Sequence, residues 1–356
     1  MTIIALILLI VLILLTVMEA GMYFLVHHPG VLKLFPRRFR NSITYLYIQG
    51  DRKIMHFQDG CGMYSPDLGY TLKPGSFTFS EVEFTNEYRV NSLGVRDDEE
   101  ALAAPDIVFL GDSFTVGWGV NHEETFAKLL GKKTKLKTLN TAIPSYGTVR
   151  EMLMLRKVDR SALKCLILQY CDDDYDENRL YYLNGNRPQI LRAETFKKYA
   201  AIHGKPKTYF PGKYLRLKIN KKLDSWKAKP AKTLDSHPLS DLDLFIHVLK
   251  QNEDLLTQVP LIVFEMNGVN QTNAFVTALA KKTADPDQPA FIRNLIVLDM
   301  SQYLEDRHFL VLDGHLNPSG HEVVTNVLYE TMLQAGILQR TEDEEDEPAA
   351  ERRYQR

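Results

Sequence analysis

The sequence predicts an α/β protein, a parallel sheet covered by helices, carried behind one N-terminal transmembrane helix. Three observations predict it. From about Pro105 onward, short apolar runs alternate with helical stretches. Each run is four to six residues long and almost wholly apolar, as strands buried on both faces require. Residues 3–18 carry no charge at all.

The elements follow in chain order. A helix over residues 2–26 would be about 37 Å long at roughly 1.5 Å per residue, enough to cross the hydrocarbon layer. Its one carboxylate, Glu19, would lie near an interface. A cleaved signal peptide would carry a basic start and a small-x-small cleavage site, and Met18-Glu19-Ala20 is a poor one. Residues 1–26 are therefore expected as an uncleaved single-pass anchor that makes the membrane a partner. No Lys or Arg precedes it, while Lys33, Arg37, Arg38 and Arg40 follow, so the positive-inside rule puts the domain in the cytoplasm. Residues 27–62, basic and aromatic, read as a juxtamembrane stem, and 63–338 as the folded domain.

Within that domain the expected strands are 107–110, 136–139, 166–170, 261–266 and 295–298. Helices are expected over 239–256, opening on Ser240 with Asp241 and Asp243 in the first turn, and over 272–282. A last helix takes Asn317 as N-cap and Pro318 at its first position, and runs to about Ala335 before Gly336. Two segments break the alternation. Residues 187–232 hold fourteen Lys or Arg against only Glu194 and Asp224, with aromatics interleaved. Residues 339–356 form a tail, wholly acidic over 342–347, that reads as disordered.

Composition excludes some classes. With 45% hydrophobic and 25% charged residues the chain is ordinary globular protein. A net charge of -2 gives no reason to expect nucleic acid as a partner. Cys61, Cys165 and Cys171 cannot all pair and lack zinc spacing. Cys165, at the start of an apolar run, reads as a small buried hydrophobe.

The chemistry concentrates in two stretches. In IVFLGDSFTVGWGV, residues 107–120, a buried strand runs into Gly111-Asp112-Ser113 and a helical stretch. Such a turn puts Ser113 at the carboxyl end of a strand, where open α/β sheets bind ligands. Its N–H would point at the same space, ready to donate to an oxyanion. The other stretch is LDGHLNPSGH, residues 312–321. A serine hydroxyl needs a base, and the base needs a carboxylate to fix its tautomer. Asp313 and His315 fit those roles, because an extended loop sends residues i and i+2 to the same side. A metal site of Asp313, His315 and His321 is the competing reading. It is weakened because no second histidine follows at zincin spacing, so no metal is expected.

GDSFTVGWGV and DGHLNPSGH resemble the first and last blocks of the SGNH/GDSL hydrolases. The stretch MYSPDLGYTLKPG…YRVNSLGVRDDEE, with Asn91, Gly94 and Arg96, is similar to the lead-in of their bacterial membrane-anchored members. The resemblance spans about residues 63–335. It implies a flavodoxin-like three-layer α/β/α sandwich, an acyl-serine intermediate, no cofactor, and a periplasmic domain, against the positive-inside rule. It also implies an oxyanion hole of Ser113, Ser145 and Asp173, with two departures. Ser145, five residues after Asn140, stands where the family has glycine. Asp173 stands where it has asparagine, and ionised it would repel an oxyanion. Gly147 and Asn178 are the alternative donors.

The function so implied is a serine esterase or acyl hydrolase acting on O-acyl groups of a cell-envelope glycan or lipid. The rivals are an O-acyltransferase on the same substrate class and a non-catalytic glycan-binding protein of the same fold. The basic insertion adds a helix whose Leu215, Ile219, Leu223 and Trp226 share one face, with Lys218, Lys221, Lys222 and Lys227 around it. That helix either caps the core or lies on anionic lipid or an acidic glycan.

Overall fold

The computed structural model describes residues 2–227 and 239–339. The acidic tail from residue 340 and positions 228–232 of the insertion lie outside the described residues. Two antiparallel hairpins lead into the domain: β1 (Gly62–Ser65) with β2 (Gly69–Leu72), and β3 (Gly75–Ser80) with β4 (Thr85–Val90). The centre is a five-stranded parallel sheet of β5 (Ile107–Leu110), β6 (Thr138–Asn140), β7 (Cys165–Tyr170), β8 (Leu261–Glu265) and β9 (Ile296–Leu298). Its order is β6-β5-β7-β8-β9. The chain enters beside the edge at β5, steps out to β6, then crosses back over β5 to β7. That reversal puts the crevice for a ligand beyond the carboxyl end of β5.

Side chains of one strand serve two cores. Val108 and Leu110 point to the face covered by helices Thr148–Leu155, Asp241–Gln251 and Ala274–Thr283, through Met152, Phe245 and Leu279. Ile107 and Phe109 point to the face covered by helices Phe126–Thr134 and Pro318–Gln334, through Phe126, Leu130, Val324 and Leu328. This is the α/β/α sandwich, and it explains why the strand sequences are mostly apolar. Truncating Phe109 to alanine would cost about 3–5 kcal/mol. The last helix starts as its sequence dictates, with Asn317 accepting from the Gly320 N–H and Pro318 in the first turn. The helix expected over 239–256 is two, Asp241–Gln251 and Glu253–Leu256, separated at Asn252. Cys61, Cys165 and Cys171 are all free and buried.

The N-terminal helix α1 (Ile3–His27) is long and apolar enough to cross a membrane. Its surface is exposed as far as Met18, and then Glu19, Met22 and Val26 are buried against the domain. The segment expected as a stem is folded. A single turn, α2 (Pro29–Leu32), leads into α3 (Arg37–Gly50). Met22, Val26, Leu32, Ile43, Leu46 and Tyr47 form one apolar cluster with Tyr214 and with Leu312, beside Asp313.

The basic insertion forms helices Ala193–His203 and Lys213–Lys227. Glu19 of α1 accepts from the N–H groups of Tyr214 (3.1 Å) and Leu215 (2.9 Å). These are orphan donors of the second helix's first turn, so α1 supplies that helix's N-terminal cap from afar. The apolar stripe of this helix does not cap the core. Leu215 is half-buried, but Ile219, Leu223 and Trp226 are exposed. The side facing the domain is Lys213, Tyr214, Leu217 and Lys218, because Glu19, Asp51 and Ser42 give their polar atoms partners.

Candidate active site

Ser113 opens a single helical turn, Ser113–Val116, directly after β5. Asp112 caps that turn by accepting from the Phe114 N–H at 2.9 Å. Burial pushes the Asp112 carboxyl up, to about 7, against the opposing Phe114 hydrogen bond. Only glycine fits at 111: a Cβ there would collide with Thr115 Oγ1 and sit 2.7 Å from Gln169 Oε1. Arg96, fully buried, ties down the far end of the turn. Its guanidinium donates to the carbonyls of Val116 (3.1 Å), Gly117 (2.6 Å) and Val120 (2.8 Å) and stacks on Tyr88. Asn91 and Gly94 shape the loop that delivers Arg96: Asn91 Oδ1 accepts from Leu93 and Val95, and Gly94 turns at φ +82°. Asn140 of β6 donates to the Thr115 carbonyl at 2.7 Å, so neighbouring strands clamp the same turn.

The last block meets this turn. Ser113 Oγ lies 2.6 Å from His315 Nε2, and His315 Nδ1 bonds Asp313 Oδ1. The expected extended loop is instead a tight turn. Gly314 has φ +78°, and Leu310 N–H donates to His315 O. The left-handed glycine lets Asp313 bond His315 and His315 reach Ser113, where extended backbone was the expected cause. The His315 ring lies against Phe114 and Trp118, at centroid distances of 4.5 and 5.5 Å. Burial lowers the His315 pKa, with Asp313 opposing the shift. Burial alone would raise the Asp313 carboxyl. The charge of His315, the Arg52 guanidinium and the bonds from His315 and Tyr47 outweigh it and hold Asp313 at about 2.

Three residues with no motif in the sequence hold Asp313. Tyr47 OH donates to Asp313 Oδ2 at 3.0 Å, and Arg52 Nε lies 3.3 Å from the same oxygen. Glu83, in the β3–β4 turn, accepts from the successive N–H groups of Val311, Leu312 and Asp313 at 2.7, 2.8 and 2.9 Å. The hairpin could have been read from TNEYRV, whose Asn86, Tyr88 and Val90 alternate inward. Nothing local marks Tyr47 or Arg52.

The expected oxyanion donors are distributed unevenly. Ser113 and Ser145 both line the cleft, and among the described residues neither backbone N–H donates to an acceptor. Ser145 sits at φ +63°, the backbone state that glycine occupies freely. Its carbonyl is fixed by Tyr70 OH (3.2 Å) and Arg150 Nη2 (2.5 Å). Asp173 is exposed on the cleft wall. Gly147 also lines the cleft, but its N–H is spent on Glu177 Oε2 at 3.1 Å. Asn178 is fully buried behind the wall beside Thr148 and does not reach the cleft. His321 accepts from the Phe126 N–H at 3.1 Å and packs on that ring, away from the Asp313–His315 pair. Among the described residues, Asp97, Asp98 and His122 do cluster with ligating geometry, but Lys128 Nζ already neutralises both carboxylates at 2.5 and 2.8 Å.

The cleft itself has a volume of about 910 Å³. Ser113 and His315 lie in it with Phe57, Tyr70, Tyr146 and Arg150. The insertion contributes a wall through residues 189–192 together with Thr195 and Tyr199.

No protein-family model matches the sequence, and no curated protein matches it. Among solved structures, the chain is similar to a Desulfitobacterium hafniense DCB-2 protein assigned to the G-D-S-L lipolytic family. That likeness has 14% identity and a TM-score of 0.36, over 63% of this chain and 98% of the other. A Bacteroides fragilis NCTC 9343 protein assigned as an acylhydrolase gives 12% identity and a TM-score of 0.35, over 67% and 94%. The salicylyl-acyltransferase SsfX3 of a tetracycline biosynthetic pathway gives 14% and 0.30, over 66% and 56%. Likenesses this distant carry no weight beside the strand order and the side-chain geometry themselves.

Proposed function

We propose that this protein is a membrane-anchored serine acyl hydrolase of the SGNH/GDSL type. The observation that carries the reading is the hydrogen-bonded line Ser113 Oγ–His315 Nε2 and His315 Nδ1–Asp313. Ser113 Oγ attacks the carbonyl carbon of an ester while its proton passes to His315 Nε2. Asp313 fixes the tautomer and stabilises the imidazolium. The oxyanion takes the N–H groups of Ser113 and Ser145, and loss of one such donor costs about 10²–10³ in rate. Collapse breaks the ester C–O bond, and His315 returns its proton to the leaving alcohol. An activated water then releases the acyl group from Ser113.

Two further observations support the setting. Glu19, Met22 and Val26 of α1 are built into the domain, which favours a retained anchor over a cleaved leader. The cleft joins aromatic faces, Phe57, Tyr70 and Tyr199, to the guanidinium groups of Arg150 and Arg192. That mixture suits an O-acyl group borne on a cell-envelope glycan or lipid headgroup. A fluorophosphonate probe tests the chemistry: it should label the wild-type chain and leave Ser113→Ala unlabelled. Turnover of p-nitrophenyl acetate that persists in Ser113→Ala would end the serine mechanism.

A further inference from the structure

We infer that Tyr47 and Arg52, in the segment that joins the apolar helix to the domain, are positioning residues for Asp313. On this view the membrane-proximal segment is a working part of the site. The inference rests on the hydrolase reading above.

Asp313 is fully buried as a side chain, and each of its oxygens has a separate task. Oδ1 takes His315 Nδ1, while Oδ2 takes the Tyr47 hydroxyl at 3.0 Å and faces Arg52 Nε at 3.3 Å. A carboxylate bonded on one oxygen alone can swing about its own axis. Bonded on both, it is pinned in the plane that keeps His315 aimed at Ser113. Tyr47 is itself fully buried, in the cluster of Met22, Val26, Ile43 and Leu46. Arg52 is set from its neighbour: Asp51 accepts from Lys213 Nζ (2.8 Å) and Tyr214 OH (3.0 Å). Glu19 in turn holds the N–H of Tyr214. A continuous set of contacts thus runs from α1 to the carboxylate beside the base. The guanidinium of Arg52 also lies 5.2 Å from the Trp118 ring centroid, next to His315.

The charges around His315 come from several elements. Asp313 is on its own loop, and Arg52 and Tyr47 come from the end and flank of α3. Glu81 and Glu83, on the β3–β4 turn, act on Asp313, and His321, packed on Phe126 in the last helix, is within electrostatic reach of His315. Arg52 acts on both members of the pair: it holds the Asp313 carboxyl down and disfavours a proton on His315.

The test uses the full chain in lipid nanodiscs. Tyr47→Phe, Arg52→Gln and Arg52→Lys are assayed for kcat and KM on p-nitrophenyl acetate across pH. The His315 imidazole is titrated by NMR in the same variants. Tyr47→Phe should lower kcat about 10-fold with KM unchanged, the size of one hydrogen bond to a charged group. Arg52→Gln should move the acid limb of kcat/KM and the imidazole titration upward together, and Arg52→Lys should restore both. Unchanged kcat and unchanged titration, with only a lower melting temperature, would reduce both residues to packing and overturn the inference. A raised KM with unmoved titration in Arg52→Gln would make Arg52 a substrate contact and overturn its role here. If wild type neither turns over ester nor takes the probe, yet the titration still moves, the hydrolase reading fails while the hold on Asp313 stands.

Discussion

The two halves of the proposed triad are held in different ways. Ser113 is fixed by its own neighbourhood: a fully buried strand, a glycine that admits no side chain, the Asp112 cap, and Asn140 on the adjacent strand. Asp313 and His315 sit in a loop with no strand beneath it. Their support arrives from 228 to 266 residues away, from the β3–β4 turn and from α3. A nucleophile built on a sheet inherits its position from the fold, whereas an acid–base pair on a loop must be positioned by contacts made for it. Distant substitutions should therefore act on the pair and spare the nucleophile.

The largest effects should ignore this difference, since they remove the reacting groups. Ser113→Ala and His315→Ala should each lower kcat by about 10⁶. Asp313→Asn should cost somewhat less, about 10⁴, because the histidine remains but loses its tautomer. A loss in Asp313→Asn below 10-fold in the same ester assay would mean that Arg52 and Tyr47 orient nothing of consequence.

Truncations sharpen the contrast next. A chain beginning at Glu19 should leave the membrane fraction yet keep its stability and activity, because Glu19, Met22 and Val26 survive. A chain beginning at His28 loses those contacts and should be less stable by roughly 3–6 kcal/mol, from two buried apolar side chains. Urea melts of the two truncations would decide this, and equal midpoints would show that α1 contributes nothing to the domain. Glu83→Gln should follow at about 1.5–3 kcal/mol, since its charge serves three N–H groups. Its activity should fall while probe access to Ser113 stays normal.

The smallest effect is a pH shift. His315 is buried and its pKa lowered, so the neutral base persists below the ordinary histidine value of about 6.5. Activity should therefore hold as pH falls through that value and drop only when the lowered one is reached. Asp313, held at about 2, stays charged throughout. An acid limb of kcat/KM above the ordinary value would contradict the burial of the ring.

The same contrast governs what the sequence reveals. β5, β7 and β8 were legible because burial on both faces makes them almost wholly apolar, with polar residues only towards their carboxyl ends, at Gln169 and Glu265. The short GDS and DGH motifs pointed to Ser113, Asp313 and His315, which the fold brings together, although the turn at Gly314 that does so was expected as extended backbone. Tyr47 and Arg52 were not legible, because a contact made across 266 residues leaves no local pattern. The donor alternatives show a related gap. The family resemblance left Gly147 and Asn178 as alternatives, but Glu177 takes the N–H of one and burial removes the other. Periodicity likewise grouped Leu215, Ile219, Leu223 and Trp226 on one face without saying what covers it. In the fold, most of that stripe is exposed.

The most direct measurement is mass-spectrometric mapping of the fluorophosphonate adduct on the full-length chain. The account predicts one adduct, on Ser113, absent in Ser113→Ala, slowed in His315→Ala, and forming at a rate that rises with deprotonation of His315. An adduct at another serine, or none on a folded chain, would contradict it.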